Sequence, residues 1–315
     1  MLSFFPNLYP DELLYSALAR YHIRSGNKSF RQTDIELFGF HSQQVCRVTL
    51  TNNLNYLVNN LPLLSAQTVD NFLQNYTLYP FYATFLTPQE VWLLKDSMRK
   101  KLNASILEIA KVARNSIGES QKFLKFCPLC LEEDIQKYGE AYWHRMHQIP
   151  GVVVCSTHGV LLQNSSVPIE AKGIHYHAAS PENCQLKTQK ISRTAPSVKN
   201  ILILVQEIGW LINSNIVFKG LGWLRNQYKS YLVNQKFMVL LPGGKFRFNE
   251  TSFSDAIFNF YGQEILEIIN PNFIKSPVNF CSMSLLTCDI NPVIDRMTHI
   301  LMIKFLANSL EEFFK

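Results

Sequence analysis

No stretch of the sequence reaches the ~18 consecutive apolar residues that a bilayer-spanning helix requires, so no membrane partner is expected. The N-terminus, MLSFFPNLYPDELL, has neither a basic leader nor a small-residue cleavage site. That argues against a signal peptide and for a cytosolic location, where thiols stay reduced. Enzyme motifs are missing too. There is no HExxH, no Gly-rich phosphate loop and no carboxylate pair at metal-binding spacing, so no catalytic role is expected. The seven cysteines (46, 127, 130, 155, 184, 281 and 288) are odd in number and scattered, unlike a dense disulfide scaffold. Most are expected to be small core residues.

What is present points to a folded protein. The 315 residues are 47% hydrophobic, with 22 Phe and 13 Tyr, far too apolar for a disordered chain. That length suggests about two domains. The formal net charge is +6, and its distribution is uneven. Between Lys95 and Lys125 there are eight Lys or Arg against three acids, and between Lys199 and Glu250 seven against two. Such runs suit a polyanionic partner.

Helical patterns fill the first 120 residues. YPDELLYSALARYHIRSGN (9–27) reads as a helix opened by Pro10 and Asp11 and closed by Gly26. LTPQEVWLLKDSMRKKL (86–102) carries Thr87 as N-cap, Pro88 in the first turn and Glu90 to complete a capping box. The texture changes at Phe126. A helix is expected over YGEAYWHRMHQI (138–149), then a break at Pro150-Gly151 and two short apolar runs in VVVCSTHGVLL. Residues 163–197 are polar and read as an extended connector, in which His175 and His177 are expected to be exposed. Helices resume at 198, interrupted by a hairpin at MVLLPGGKFRFN (238–249). A helix capped by Ser252 or Ser254 follows, and a last one runs over INPVIDRMTHILMIKFLANSLEEFF.

Cys127 and Cys130 stand three apart, and so do Cys155 and His158, 25 residues beyond Cys130. A thioredoxin-type redox pair would follow a strand at a helix N-terminus, and no βαβ pattern precedes Phe126. The C-x2-C…C-x2-H spacing instead suits zinc, which takes four tetrahedral sulfur and nitrogen ligands. Two ligands on each of two tight turns close the shell without an open position, so one structural zinc ion per chain is expected. Lys122, Lys125 and Arg145 are candidates to offset the charge of three thiolates. A set drawing on His144 or His147 is the alternative.

The segment from Trp223 to Ile269 reads as helix, hairpin, helix, a helix-turn-helix or winged arrangement. Arg225, Lys229, Lys236, Lys245 and Arg247, together with Lys122, Lys125 and Arg145, are the candidate contacts to DNA phosphates. Asn226, Gln227 and Gln235 are candidates to read base edges.

The stretch FCPLCLEEDIQKYGEAYWHRMHQIPGVVVCSTHGVLL resembles the signature of the TnsD/TniQ family of transposon target-selection proteins, closer to its TnsD branch. YPDELLYSALARY, YTLYPFYATFL and HILMIKFLANSLEEFF are also similar to that family. Members of that branch usually continue beyond such a final stretch, whereas this sequence stops there. The resemblance implies a prokaryotic, nucleoid-associated protein that recognises a chromosomal attachment site in double-stranded DNA without cutting it. It also implies recruitment of an AAA+ ATPase regulator of transposition. The alternative is an adaptor that bridges a guide RNA effector complex to that ATPase with only weak DNA contact. The family's zinc ligands fall on Cys127, Cys130, Cys155 and His158. The expected fold is mainly α with a small zinc-ribbon-like β element. It comprises a helical N-terminal domain (1–122), a zinc module (123–165), a connector (166–197) and a helical, winged-helix-like DNA-binding domain (198–315).

Overall fold

A computed structural model describes residues 1–41, 48–101, 106–111, 122–169, 175–185, 196–214, 216, 219–275, 286 and 295–315. Expectations resting on Cys46, Arg114, Cys281 and Cys288 lie outside the described residues.

Among the described residues, seven short helices come first: α1 (Leu14–Ser25), α2 (Phe30–Phe38), α3 (Leu54–Asn60), α4 (Val69–Asn71), α5 (Tyr79–Ala83), α6 (Pro88–Arg99) and α7 (Ile106–Ile109). A π-helical turn, Phe72–Tyr76, continues α4. Among the described residues before Phe123 no strand forms, as the helical periodicities predicted. The capping box of α6 is present: Glu90 N donates to Thr87 Oγ1 (3.3 Å) and Thr87 N to Glu90 Oε2 (2.8 Å). Helix α1 starts later than Pro10. Asp11 adopts φ +53°, and the residues before Leu14 turn rather than coil. The helix then buries every residue from Leu14 to Tyr21, because neighbours cover it on all sides.

The second segment pairs β1 (Phe123–Phe126) antiparallel with β2 (Gln163–Pro168), and α8 (Pro128–Tyr138) follows β1 directly. This corrects the helix expected over 138–149. The helix sits one segment earlier and ends at Gly139, whose φ of +76° is the left-handed cap that glycine tolerates. Residues beyond it run alongside the Asp11 turn. Leu13 N donates to Trp143 O (2.8 Å) and Arg145 N to Asp11 O (2.6 Å). Only Met146–Gln148 makes a short 3-10 turn. The aromatic cluster Tyr142-Trp143 wins over helical propensity because extended backbone lets Trp143 bury almost completely, with 1% exposed.

The connector is an ordered strap where it is described. Tyr176 is buried and its hydroxyl donates to Asp34 (2.6 Å). Trp143 Nε1 donates to His177 O (2.7 Å). The two histidines stack at 5.7 Å, and both rings meet Phe30 edge-on. His177 is exposed, as expected, whereas His175 is half-buried.

The remaining elements are α9 (Pro196–Asn213), α10 (Leu221–Asn234), the hairpin β3 (Met238–Leu240) and β4 (Phe246–Phe248), α11 (Glu250–Tyr261), α12 (Gln263–Ile269), α13 (Asn272–Lys275), α14 (Arg296–Ala307) and α15 (Leu310–Phe314). Asn249, not a serine, caps α11 by accepting from Ser252 N (3.0 Å). Two expected long helices are each split in two, at Gly262 (φ +79°) and at Asn308 (φ +61°). One apolar core joins the N-terminal helices, the β1–β2 pair and the C-terminal helices. Among the described residues no helix is long and apolar enough to cross a membrane.

Candidate metal centre and nucleic-acid interface

Cys127 is the residue before α8, and Pro128 fixes the first helical position. One turn of that helix places Cys130 beside it. Cys155 and His158 lie on the opposite knuckle, a tight turn closed by Gly159 N donating to Cys155 O (2.9 Å). Gly159 has φ +63°, and a Cβ there would meet nothing closer than Leu202 at 3.8 Å. Backbone conformation, not space, therefore requires the glycine.

The four side chains converge. His158 Nδ1 lies 3.5 Å from Cys127 Sγ, 3.3 Å from Cys130 Sγ and 3.6 Å from Cys155 Sγ, and the last two sulfurs are 3.6 Å apart. Zinc bonds of about 2.3 Å to sulfur and about 2.0 Å to nitrogen imply tetrahedral edges of about 3.8 Å and about 3.5 Å. These four spacings lie within about 0.2 Å of those edges, so the donor set fits a zinc ion. Burial and mutual contact make the thiols unequal. Cys130 is pushed far up by Cys127, Cys155 and burial, whereas the Cys155 thiolate is favoured by hydrogen bonds from its two neighbours. Three sulfurs this close ionise together only around a cation.

An outer partner completes the arrangement. His158 Nε2 is 2.9 Å from Glu133 Oε1, which orients the ring with Nδ1 toward the sulfurs. Glu133 was not singled out from sequence, although it stands one helical turn after Cys130, on the same face. The alternative set is also brought together. Donor atoms of Cys130, His144 and His147 lie within 4.8 Å of one another. His144 Nε2, however, is held by Asp134 Oδ2 (2.8 Å), and the set has three members and reuses Cys130. Both histidines line a cleft of about 810 Å³ between α8, the Asp11 turn and α9. The four-residue set supplies four donors, the number that a tetrahedral site takes.

The candidate DNA contacts divide sharply. Lys125 is 6% exposed, and its Nζ donates to Val152 O (2.6 Å). Burial brings its pKa down to about 7. Arg145 is 4% exposed and donates to Gln74 O (2.6 Å), Asn213 Oδ1 (3.1 Å) and Asp11 Oδ1 (3.4 Å). Both side chains are buried and spend their donors on internal acceptors, so both are corrected from phosphate contacts to internal braces. Lys122, Lys236, Lys245 and Arg247 are exposed, and Arg225 and Lys229 are half-buried. Lys229 Nζ sits 4.8 Å from the centroid of Phe246.

The residues between the two knuckles turn out to be structural. Gln148 holds the β1 backbone on both sides, accepting from Lys125 N (2.9 Å) and donating to Lys125 O (2.8 Å). Gly151 has φ +81°, and a Cβ there would fall 2.7 Å from Met297. Glu140 joins the N-terminal segment through Arg20 Nη1 (2.8 Å) and the Tyr9 hydroxyl (2.8 Å). Arg20 also grips the fully buried Glu12 with two bonds, of 2.9 and 2.7 Å, and lies over the Tyr9 ring. The YPDE…R and YGEAYW stretches are thus the two halves of one buried contact.

Comparison with known proteins covers the same part of the chain. The TniQ family model matches residues 3–162, half of the chain. The chain belongs to the TniQ family. It is also similar to the Transposon Tn7 transposition protein TnsD of Escherichia coli, at 27% identity over 158 residues. That alignment covers 50% of this chain and 31% of the TnsD length, so the chain matches less than a third of that relative. The TniQ match begins before α1 and ends after the Cys155–His158 knuckle, the span that the Arg20 network and the four-residue cluster hold together.

Proposed function

We propose that this TniQ protein is a non-catalytic target selector of a Tn7-like transposon. In this reading it binds a chromosomal attachment site in double-stranded DNA and recruits an AAA+ ATPase regulator of transposition. It acts in the cytoplasm on nucleoid DNA. The observation that carries the reading is the TniQ match over residues 3–162, together with the similarity to a Tn7 transposition protein. The exposed Lys122, Lys236, Lys245 and Arg247 supply cations for phosphates. Residues 221–261, helix, hairpin, helix, form the winged-helix-like unit of the proposal.

Cys127, Cys130, Cys155 and His158 would hold one zinc ion. When bound, the ion supplies a cross-link between the α8 turn and the 155–158 turn and no reaction chemistry, since all four positions belong to the protein. Glu133 fixes the His158 ring, and Gln148 and Lys125 tie the β1 backbone to the residues that lead into the second knuckle. The centre would thereby hold the α8 turn and the 155–158 turn together.

Electrophoretic shifts on random and genomic duplexes over a salt series test the reading. Sequence-selective binding that weakens steeply with salt is expected, because each phosphate contact releases counterions. Equal affinity for every duplex, combined with capture by a guide RNA effector complex, would move the protein to the adaptor reading.

A further inference from the structure

The β3–β4 hairpin is short and leaves part of its apolar surface outside the core. Val239, Leu240 and Leu241 are 58%, 63% and 39% exposed, three in a row, a pattern that needs a reason. The base of the hairpin is firmly held. Met238 is buried, Asn249 N donates to Phe237 O (2.9 Å), and Phe237 and Phe248 pack on Phe253 at 5.3 and 5.7 Å. The tip is held too. Leu241 N donates to Lys245 O (2.8 Å) across Pro242-Gly243-Gly244, where both glycines have left-handed φ, +75° and +76°. Leu240 and Leu241, both extended, stand on opposite faces of the ribbon just below the Pro242–Gly244 turn, so the outer end of the hairpin is apolar on both sides.

Its rim is cationic. Lys236, Lys245 and Arg247 are exposed, Arg247 is the cross-strand partner of Val239, and no acid occurs between residues 235 and 249. An apolar hairpin end flanked by Lys236, Lys245 and Arg247 is complementary to a polyphosphate with an apolar interior, which is stacked duplex DNA. Proteins that bend DNA insert such residues between base steps from the minor groove. Three strand residues at about 3.4 Å each project the tip about 10 Å. A minor groove is about 7.5 Å deep.

We propose that Leu240 and Leu241 form a wedge that enters the minor groove and unstacks one base step, with Lys236, Lys245 and Arg247 on the flanking phosphates. This rests on the DNA-binding reading above and adds to it a deformation component of specificity. The preferred step is pyrimidine–purine, the easiest to unstack.

The experiment uses the full zinc-loaded chain and duplexes enriched from a random pool by binding to it. Each is rebuilt with 2-aminopurine at its pyrimidine–purine steps. Binding should raise the fluorescence at one step. The Leu240→Ala/Leu241→Ala variant should abolish that rise while affinity falls by about tenfold or less, because the lost contacts and the avoided unstacking offset each other. Both residues are exposed, so the variant should keep its fold, checked by circular dichroism and zinc content. A wild-type chain that binds without any fluorescence change, or a variant that raises it equally, overturns the wedge and leaves DNA binding intact. Failure to bind any duplex at low salt overturns both. Loss of flotation with anionic lipid vesicles in the variant, with fluorescence unchanged, would reassign the tip to a lipid surface.

Discussion

Arg20 shows how much one side chain can organise. It is 2% exposed, yet it carries a charge, because Glu12 and Glu140 raise its pKa against the opposing effect of burial. Its guanidinium satisfies Glu12 bidentately, reaches Glu140 and donates to Asn7 O (2.6 Å), a geometry that a lysine ammonium cannot reproduce. Arg24 also reaches Glu140, from the exposed side. Replacing Arg20 leaves Glu12, with no exposed surface, as an uncompensated buried charge. Arg20→Met should therefore destabilise the chain by about 3–5 kcal/mol. Arg20→Lys should recover only part of that loss. The double variant Arg20→Met/Glu12→Leu should be more stable than Arg20→Met alone, because neither charge is then stranded. Urea unfolding midpoints of the variants check this; equal midpoints for single and double variants would show that the pair is not coupled.

At the scale of elements, the centre would add a cross-link between the α8 turn and the 155–158 turn, beside the β1–β2 pairing. Val160 and Leu162 are among the few apolar side chains packed around the cluster, so apolar burial alone is a weak clamp there. Cys130→Ser, or prolonged chelation, should release about one equivalent of zinc per chain and unfold the 127–162 segment. Metal analysis together with hydrogen exchange across that segment reads this directly, and an unchanged exchange pattern after complete metal loss would rule out a structural role. The convergence of Cys127, Cys130, Cys155 and His158 was legible in the sequence because a C-x2-C…C-x2-H spacing suits a metal site. The capping box at Thr87 and the hairpin at Pro242-Gly243-Gly244 were legible because local backbone chemistry dictates them. Position in three dimensions was not. Lys125 and Arg145 read as surface cations, since nothing local shows that Val152 O, Gln74 O and Asn213 lie within reach. The 138–149 segment read as a helix because its extended pairing partner, the Asp11 turn, lies about 130 residues away in the chain. Glu133 had a usable local signal, its position one turn beyond Cys130.

For the whole molecule, the question is how the TniQ-matched part is joined to the C-terminal helices, and His299 stands at that joint. It is buried on α14, stacks on Phe85 from the N-terminal part at 4.5 Å, and its Nδ1 is 2.8 Å from the Tyr228 hydroxyl on α10. Burial, and then the neighbouring Arg296, lower its pKa to about 3. The folded chain therefore keeps this ring neutral while an unfolded chain protonates it below about 6.5. The stability that goes with the neutral ring is fully present above that pH and is lost as pH falls toward 3, at about 1.4 kcal/mol per unit. Asp295, beside Arg296, works the other way. Burial lifts its carboxyl to about 6, so the folded chain gains from protonating it between pH 6 and 4. A wild-type profile alone would mix the two. His299→Phe keeps the stack on Phe85 and cannot titrate, while Asp295 is common to both chains, so the difference between the chains isolates His299. Losing the Tyr228 bond should cost the variant about 1–3 kcal/mol at every pH. Between pH 7 and pH 5 the wild type should lose about 2 kcal/mol more than the variant. Denaturant midpoints at the two pH values, with zinc saturating, measure that difference. Parallel profiles would mean that the ring protonates in the folded chain and that the joint between the two parts opens to water.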